Sequence, residues 1–421
     1  MILSHHGLKW RRSELQSVHN PDRFMADLRQ ILSQGRKRIG LLVGAGAPMS
    51  VRVEDDKLSS NGRPLIPGAD ELTNLVVAGL STQPFREAAQ AIRQDLGASA
   101  NIETILSMVR LRERALGASK VHGLNADGYC KLGRAICENI GKIVDARLPV
   151  DPTPFNELVT WVGGTIRPHA IEIFTTNYDL LFEESFERVR APYFDGFTGS
   201  ASPFFDPVTV AGDDLPSRWA RLWKLHGSIG WDLVNGNIVR GVGRDASQLI
   251  YPDHLKYDQT QKQPFASLIE RMRQFLLQPD TLLLATGFSF RDAHICAVIE
   301  ESLGVNKNAA VFAFQYGDRS NERAACEMAA RRPNFSVYAA DGAIINAISG
   351  IWSPGEPPKN WENIRATYWG ARTGGGGSVF LLGDFAHFSR FCAQSQSFDL
   401  HPNEVALASD AIIGSESTAT Q

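Results

Sequence analysis

Four short segments punctuate this chain: Val43-Gly44-Ala45-Gly46-Ala47, Thr175-Thr176-Asn177-Tyr178-Asp179, Lys224-Leu225-His226-Gly227-Ser228 and Gly287-Phe288-Ser289-Phe290-Arg291-Asp292. Each closes or follows an apolar run of strand length. That placement constrains the fold more than any other feature, because open α/β sheets bind ligands at the carboxyl ends of their strands. Strand-like runs at residues 39–43, 170–174, 221–225, 281–285, 309–314 and 336–339 alternate with helical patterns at 180–189, 293–303 and 321–330. The alternation predicts an α/β fold, a Rossmann-like parallel sheet with helices on both faces.

The intervening stretches add detail. Asn20-Pro21 reads as an N-cap followed by proline at the first helical position; Phe24, Leu28, Ile31 and Leu32 share one helical face, and Gly35 marks the end. Residues 51–68, polar and holding Asn61-Gly62, read as loop. Residues 70–148 carry the helical period in Ile102, Ile105, Leu106 and Val109 and again in Leu132, Ile136, Ile140 and Val144. They predict a large helical insertion after the first strand, about residues 70–165. Thr153-Pro154 starts a further helix, with Glu157 near enough to cap it. Residues 230–240 alternate around Asn235-Gly236, a two-residue hairpin signal.

We expect residues 1–352 to form one catalytic domain and 353–421 a small C-terminal extension. The extension opens with the linker Pro354-Gly355-Glu356-Pro357-Pro358. It continues through a flexible run at 374–377 and one strand at 378–382 to a disordered tail at 415–421. Trp361, Tyr368, Trp369, Phe380, Phe385, Phe388 and Phe391 crowd into it, either as an assembly segment or packed onto the main domain.

A net charge of -3 does not point to nucleic acid, and no direct nucleic-acid binding is expected. The five cysteines include no C-x-x-C pair and are odd in number, against both a disulfide framework and a four-cysteine zinc site, so no metal is expected. Residues 1–12 lack an apolar core of signal-peptide length, and no apolar run approaches the roughly 20 residues of a membrane span. These features predict a cytoplasmic protein.

Each segment has a functional and a plain reading. Gly44, Ala45 and Gly46 let backbone N–H groups approach a pyrophosphate, or simply make a tight turn; Met49 stands where a G-x-G-x-x-G fingerprint has its third glycine. Asn177 and Asp179 face a cleft, or cap the next helix. His226 suits general acid–base work, or is structural. Gly287, Ser289 and the following helix N-terminus suit a phosphate or ribose, whereas Asp292 at least partly caps that helix.

Taken together, the ordered segments resemble the sirtuin superfamily over roughly residues 20–350. Gly44-Ala45-Gly46 resembles its first phosphate loop and Thr176-Asn177-Tyr178-Asp179 its Thr-Gln-Asn-Ile-Asp motif. His226-Gly227 resembles the motif of its catalytic histidine, and Gly287-Phe288-Ser289 its Gly-Thr-Ser motif. The departures are informative. The interval 228–279 holds no cysteine where sirtuin deacylases carry a zinc ribbon; Pro48 replaces a phosphate-loop serine; residues 66–72 lack the Pro-Asp-Phe-Arg loop. The Thr-Asn-Tyr-Asp form, the large helical insertion and the missing zinc module resemble the bacterial sirtuin-like branch of anti-phage effectors, which hydrolyse NAD.

That resemblance implies an NAD+ glycohydrolase with NAD as substrate. Asn177, His226 and Asp179 would be catalytic, and Gly44, Ala45, Gly46, Thr176, Gly287, Ser289 and Asp292 would bind NAD. It also implies a homo-oligomer, with a HerA-type DNA-translocase ATPase or an Argonaute-like protein as possible partner. An NAD-dependent deacylase and a non-catalytic NAD or ADP-ribose sensor remain as alternatives.

Overall fold

The computed structural model describes residues 17–97, 100–164, 167–241, 263–371 and 377–395. The chain opens with β1 (Val18–His19) and a helix, Pro21–Gln34, whose ends follow the sequence signals. The Asn20 side chain accepts from Arg23 N at 3.0 Å, Pro21 sits in the first turn, and Gly35 closes the helix at φ 63°, a conformation favoured by glycine. Next come β2 (Arg38–Val43) and three short strands, β3 (Arg52–Glu54), β4 (Lys57–Leu58) and β5 (Arg63–Pro64). These three pair antiparallel in the order β4-β3-β5, so the stretch expected to be loop carries a small sheet of its own. Their residues are mostly exposed, and strands this short leave no hydrophobic alternation to read.

The helical insertion is present as Ala69–Ala78, Gln83–Leu96, Ile102–Leu116 and Ala126–Val144, with the periodic residues of the last two buried. A further helix, Pro154–Gly164, starts where expected, but Glu157 does not cap it. Thr153 instead donates its N–H and hydroxyl to Asn156 Oδ1, at 3.0 and 2.8 Å, and Glu157 pairs with Arg390 at 3.0 Å. Asn156 occupies the third helical position, from which a side chain reaches back to the N-cap.

The remaining strands are β6 (Glu172–Thr175), β7 (Tyr193–Phe194), β8 (Phe197–Thr198), β9 (Phe204–Phe205), β10 (Ala220–Lys224), β11 (Trp231–Val234), β12 (Asn237–Arg240), β13 (Thr281–Thr286), β14 (Ala310–Phe314), β15 (Phe335–Tyr338), β16 (Gly342–Ile345) and β17 (Ile348–Trp352). Among the described residues the main sheet has ten strands in the order β1-β17-β16-β15-β14-β13-β2-β6-β10-β7. From β15 through to β7 every pairing is parallel; β16 is antiparallel to both its neighbours. Strands β6, β10 and β13 are buried along their whole length, as parallel strands covered on both faces must be. The fold is α/β, as the alternation of strand and helix predicts. β11 and β12 form the expected hairpin, with Asn235 at φ 51° and Gly236 at φ 82°, and join β9 and β8 in a second sheet.

After Trp352 the chain forms a helix Glu362–Tyr368, a two-stranded ribbon of β18 (Trp369–Ala371) and β19 (Ser378–Phe380), and a helix Phe385–Gln394. Trp361, Tyr368, Phe380, Phe385, Phe388 and Phe391 are buried in the core shared with the main sheet, and Trp369 packs against it. Phe385 lies against Phe155, ring centroids 4.9 Å apart. The stretches at 1–12 and 415–421, and most of the glycine run at 374–377, lie outside the described residues.

A buried carboxylate, Asp22, ties this segment to the first helix. Tyr368 donates to its Oδ1 at 2.8 Å, Gly355 N donates to its Oδ2 at 2.9 Å, and Arg365 Nε lies 3.0 Å away. Removing one partner of such a cluster strands the others in a site with little water. Asp22→Ala is expected to destabilise the protein by about 2–4 kcal/mol, measured as a fall in the urea midpoint, whereas Asp22→Asn, which retains an acceptor, loses less.

Candidate active site

Strands β13, β2, β6 and β10 are consecutive in the sheet, so the four punctuating segments emerge side by side at its carboxyl edge. Gly44 and Gly46 follow β2. Their N–H groups donate to Thr286 O and Gly287 O, at 3.2 and 2.9 Å. A Cβ on Gly44 would stand 2.4 Å from Gly287 O, and one on Gly46 2.6 Å from Gly287 Cα. Gly287 itself adopts φ +62°. The glycines therefore allow two loops to touch, and their amides bond the neighbouring loop instead of being left free for a pyrophosphate. Ala45, between them, is exposed; Pro48 is buried in a short helix, Gly46–Ser50.

The loop after β6 locks onto the first. Thr176 N donates to Val43 O at 3.3 Å, Thr175 Oγ1 to Val43 O at 2.9 Å, and the Asn177 side-chain amide to Gly44 O at 3.1 Å. Asn177 is buried. Tyr178 donates its hydroxyl to Glu103 of the helical insertion at 2.5 Å. Its carbonyl accepts from Ile229 N at 3.0 Å and Ser228 Oγ at 3.3 Å, which joins this loop to the one after β10.

Asp179 is buried beneath these contacts. Its Oδ1 accepts from Leu181 N at 3.1 Å, so it does anchor the start of the next helix, and Lys224 donates to its main-chain carbonyl. Lys224 also pairs with Glu183 at 3.0 Å. Burial pushes the Asp179 carboxyl up to about 6, against the partial opposition of the Lys224 charge.

His226 follows β10, also buried, and its Nε2 lies 2.9 Å from Asp292 Oδ2. Asp292 belongs to the loop after β13, three strands away in the sheet. Its other oxygen, Oδ1, accepts from His294 N and Ile295 N at 2.9 and 3.1 Å and caps the helix Ala293–Val305. Ser289 is exposed in the same loop, whose Phe288 carbonyl accepts from Gln315 Nε2 at 3.1 Å.

The structure thus gathers all ten residues singled out in the sequence at one edge. Sequence reasoning missed the Asp292–His226 pair, because an aspartate before a helix is already accounted for as a cap. It also missed Glu103, since nothing in a helical insertion marks a residue as site-facing, and it gave no role to Lys224 at the end of β10. Among the described residues no group of His, Cys, Asp and Glu is placed to hold a metal ion. No described helix is long and apolar enough to cross a membrane.

Residues 171–336 match the family model of the SIR2-like domain. The matched span holds Asn177, Asp179, His226, Gly287, Ser289 and Asp292 but not the first glycine loop, which reaches the others through the fold. Several solved Sir2 structures are similar. One is described under the structural basis for the mechanism and regulation of Sir2 enzymes (13% identity, 70% of this chain and 86% of that chain, TM-score 0.33). Another is a Sir2 homologue mutant with ADP-ribose (12%, 69% and 84%, 0.31), and a third a Sir2 homologue with NAD (13%, 70% and 84%, 0.27). No curated protein matches the chain.

The state of Asp179 gives a testable consequence. Its folded pKa lies above the ordinary 3.8, so the native state holds the proton more tightly than the unfolded chain does. The stability that follows is fully present below about pH 4 and is lost as the pH rises through about 6. Asp179→Asn, which keeps an acceptor for Leu181 N, is expected to be more stable than wild type at pH 8 by roughly 3 kcal/mol. The difference should close in acid. Urea midpoints at the two pH values measure it; equal midpoints at pH 8 would mean that Lys224 offsets the burial in full.

Proposed function

We propose that this chain is an NAD+ glycohydrolase, which breaks the N-glycosidic bond to nicotinamide and yields nicotinamide and ADP-ribose. The observation that carries the reading is the meeting of Asn177, the His226–Asp292 pair and the glycine loops at one sheet edge, in a chain whose residues 171–336 match the SIR2-like domain. The resemblance of the segments to the bacterial sirtuin-like branch favours hydrolysis over deacylation.

The chemistry asks little of a proton donor, because nicotinamide leaves as a neutral base from a cationic substrate. What the site must supply is orientation of the ribose, stabilisation of an oxocarbenium-like transition state and a placed nucleophile. In this reading Asn177 orients the water or the ribose hydroxyls. Its amide, held by Gly44 O, leaves its carbonyl oxygen as the acceptor. His226 takes a proton from a ribose hydroxyl or from water. Asp179, whose carboxyl titrates near 6, adds negative charge beside the ribose when ionised. Ala45, Thr176 and Ser289, more accessible than the buried residues around them, line the phosphate side with Gly44, Gly46 and Gly287.

In this reading the enzyme works in the cytoplasm, as an NAD-depleting effector of the kind the resemblance suggests for anti-phage defence. It would work as a homo-oligomer and be held inactive until infection, with a HerA-type ATPase as candidate partner. Depletion of NAD is compatible with survival only under such restraint.

Nicotinamide release from NAD+ without any acyl-peptide tests the reading. Wild type is expected to release it, alone or once a candidate ATPase is added, and His226→Ala and Asn177→Ala are each expected to lose ~10²-fold or more under the same conditions. Full activity in both variants would falsify the assignment. Turnover that requires an acyl-peptide would instead mark a deacylase.

A further inference from the structure

We propose that Asp292 is the positioning residue of His226, fixing the ring as its Nε2–H tautomer so that Nδ1 is the nitrogen that takes the proton. The inference rests on the glycohydrolase reading for its chemistry. It moves Asp292 from the substrate-binding set, where the resemblance puts it, to a role exerted through the histidine.

Both oxygens of Asp292 are engaged by the protein. Oδ1 takes the N–H groups of His294 and Ile295, and Oδ2 faces His226 Nε2 at 2.9 Å. A carboxylate whose two oxygens already face three partners is poorly placed to greet a ribose hydroxyl as well. It is well placed to hold a ring. The helix N-terminus favours the ionised form, and an ionised carboxylate only accepts, so the proton shared with the ring sits on Nε2.

With Nε2 carrying the hydrogen, the lone pair is on Nδ1. No hydrogen bond from a described residue reaches Nδ1, and the ring keeps 7% of its side-chain surface exposed. In the step assigned to it, the O–H bond of a ribose hydroxyl or water breaks and an N–H bond forms at Nδ1. The oxygen retains the electron pair, and the ring becomes an imidazolium facing the Asp292 carboxylate. One group thus sets the tautomer before the transfer and balances the charge after it.

Asp292→Asn separates this role from capping. Asparagine caps helices as well as aspartate does, so a residue that merely caps tolerates the change. Its amide, however, can turn an N–H toward Nε2, which favours the opposite tautomer with hydrogen on Nδ1. The experiment records the ring nitrogens of histidine-labelled protein by NMR without NAD, at a pH where the ring is neutral, with His226→Gln to assign the signal. Kinetics of nicotinamide release follow. Wild type is expected to show Nε2–H and Asp292→Asn to lose it; kcat should fall by ~10²–10⁴-fold with KM for NAD+ little changed. If Asp292→Asn fails to fold, Asp292→Ser, which caps through its hydroxyl, takes its place with the same expected loss of Nε2–H preference.

An unchanged tautomer in the folded variant overturns the proposal. So does a raised KM with kcat intact, which would return Asp292 to substrate binding. A tautomer switch between wild type and Asp292→Asn, with no nicotinamide released by wild type even when a candidate ATPase is added, would sink the glycohydrolase reading and leave the positioning of His226 standing.

Discussion

The carboxyl edge of the sheet depends on how closely two backbones approach, Gly44-Ala45-Gly46 after β2 and Gly287 after β13. With a Cβ at Gly44 only 2.4 Å from the Gly287 carbonyl oxygen, the contact is closed to every residue but glycine. A methyl group there would drive the loops apart, and both are backbone that cannot give way as a side chain does. The consequences run outward along hydrogen bonds. Asn177 is held through Gly44 O, and Thr176 through Val43 O. Asp292, five residues past Gly287, must still arrive 2.9 Å from a histidine three strands away. A displacement at the glycines would therefore be felt at the residues proposed to carry the chemistry.

Elements remote in sequence brace this edge. Glu103, on the helix Ile102–Leu116, reaches Tyr178 between the two candidate catalytic residues Asn177 and Asp179. The insertion is thus mechanically joined to the site as well as packed on the sheet. On the other side of the core, Phe380 and Phe388 lie against Phe314 of β14, with ring centroids 6.5 and 5.4 Å away. The segment after Trp352 therefore fills out the same core as the main sheet. Its aromatic residues are accounted for by that packing, and a role in assembly would have to use other surface.

How much of this was legible in the sequence depends on whether the signal was local. The central strands announced themselves because both faces are buried and the runs are apolar without interruption, as in Thr281–Thr286. The first helix carried its caps at both ends, and Asn235-Gly236 needs only its own two positive φ angles to make a hairpin. The candidate site residues were visible because four glycine- and polar-rich segments close apolar runs in an order that resembles the sirtuin motifs. What stayed hidden depends on partners far along the chain. Strand β1 is two residues long and exists because Val18 and His19 pair with Ile351 and Trp352. Strands β3 to β5 are too short for alternation to show. The Asp292–His226 pair joins residues whose separate local explanations, cap and strand end, were each sufficient.

Charge balance distinguishes the two ends of the sheet. At the amino ends of β2 and β6 a cavity is lined by Arg38, Glu172, Asp213 and Arg271, among others. Its acids and bases answer one another: Arg271 donates twice to Glu172, at 2.8 and 2.6 Å, and once to Asp213 at 2.7 Å, and Trp223 Nε1 adds a third bond to Glu172 at 2.7 Å. Burial opposes the Arg271 charge, yet these bonds hold its pKa above the ordinary value. Such a cluster is a staple between the helix Phe265–Leu277 and the strands beneath it. At the carboxyl ends the balance is not struck. Lys224 has its ammonium on Glu183 and on a main-chain carbonyl, and Asp179 beside it keeps a carboxyl that burial resists ionising. A fold selected for stability alone has no use for an acid in that position, since an amide would cap the helix equally well. A carboxyl raised toward neutral pH on the same sheet edge as a histidine, in a tightly hydrogen-bonded frame, suits the proposed proton transfer. The contrast favours the carboxyl edge as the place of the proposed chemistry, even though a cavity opens at the other.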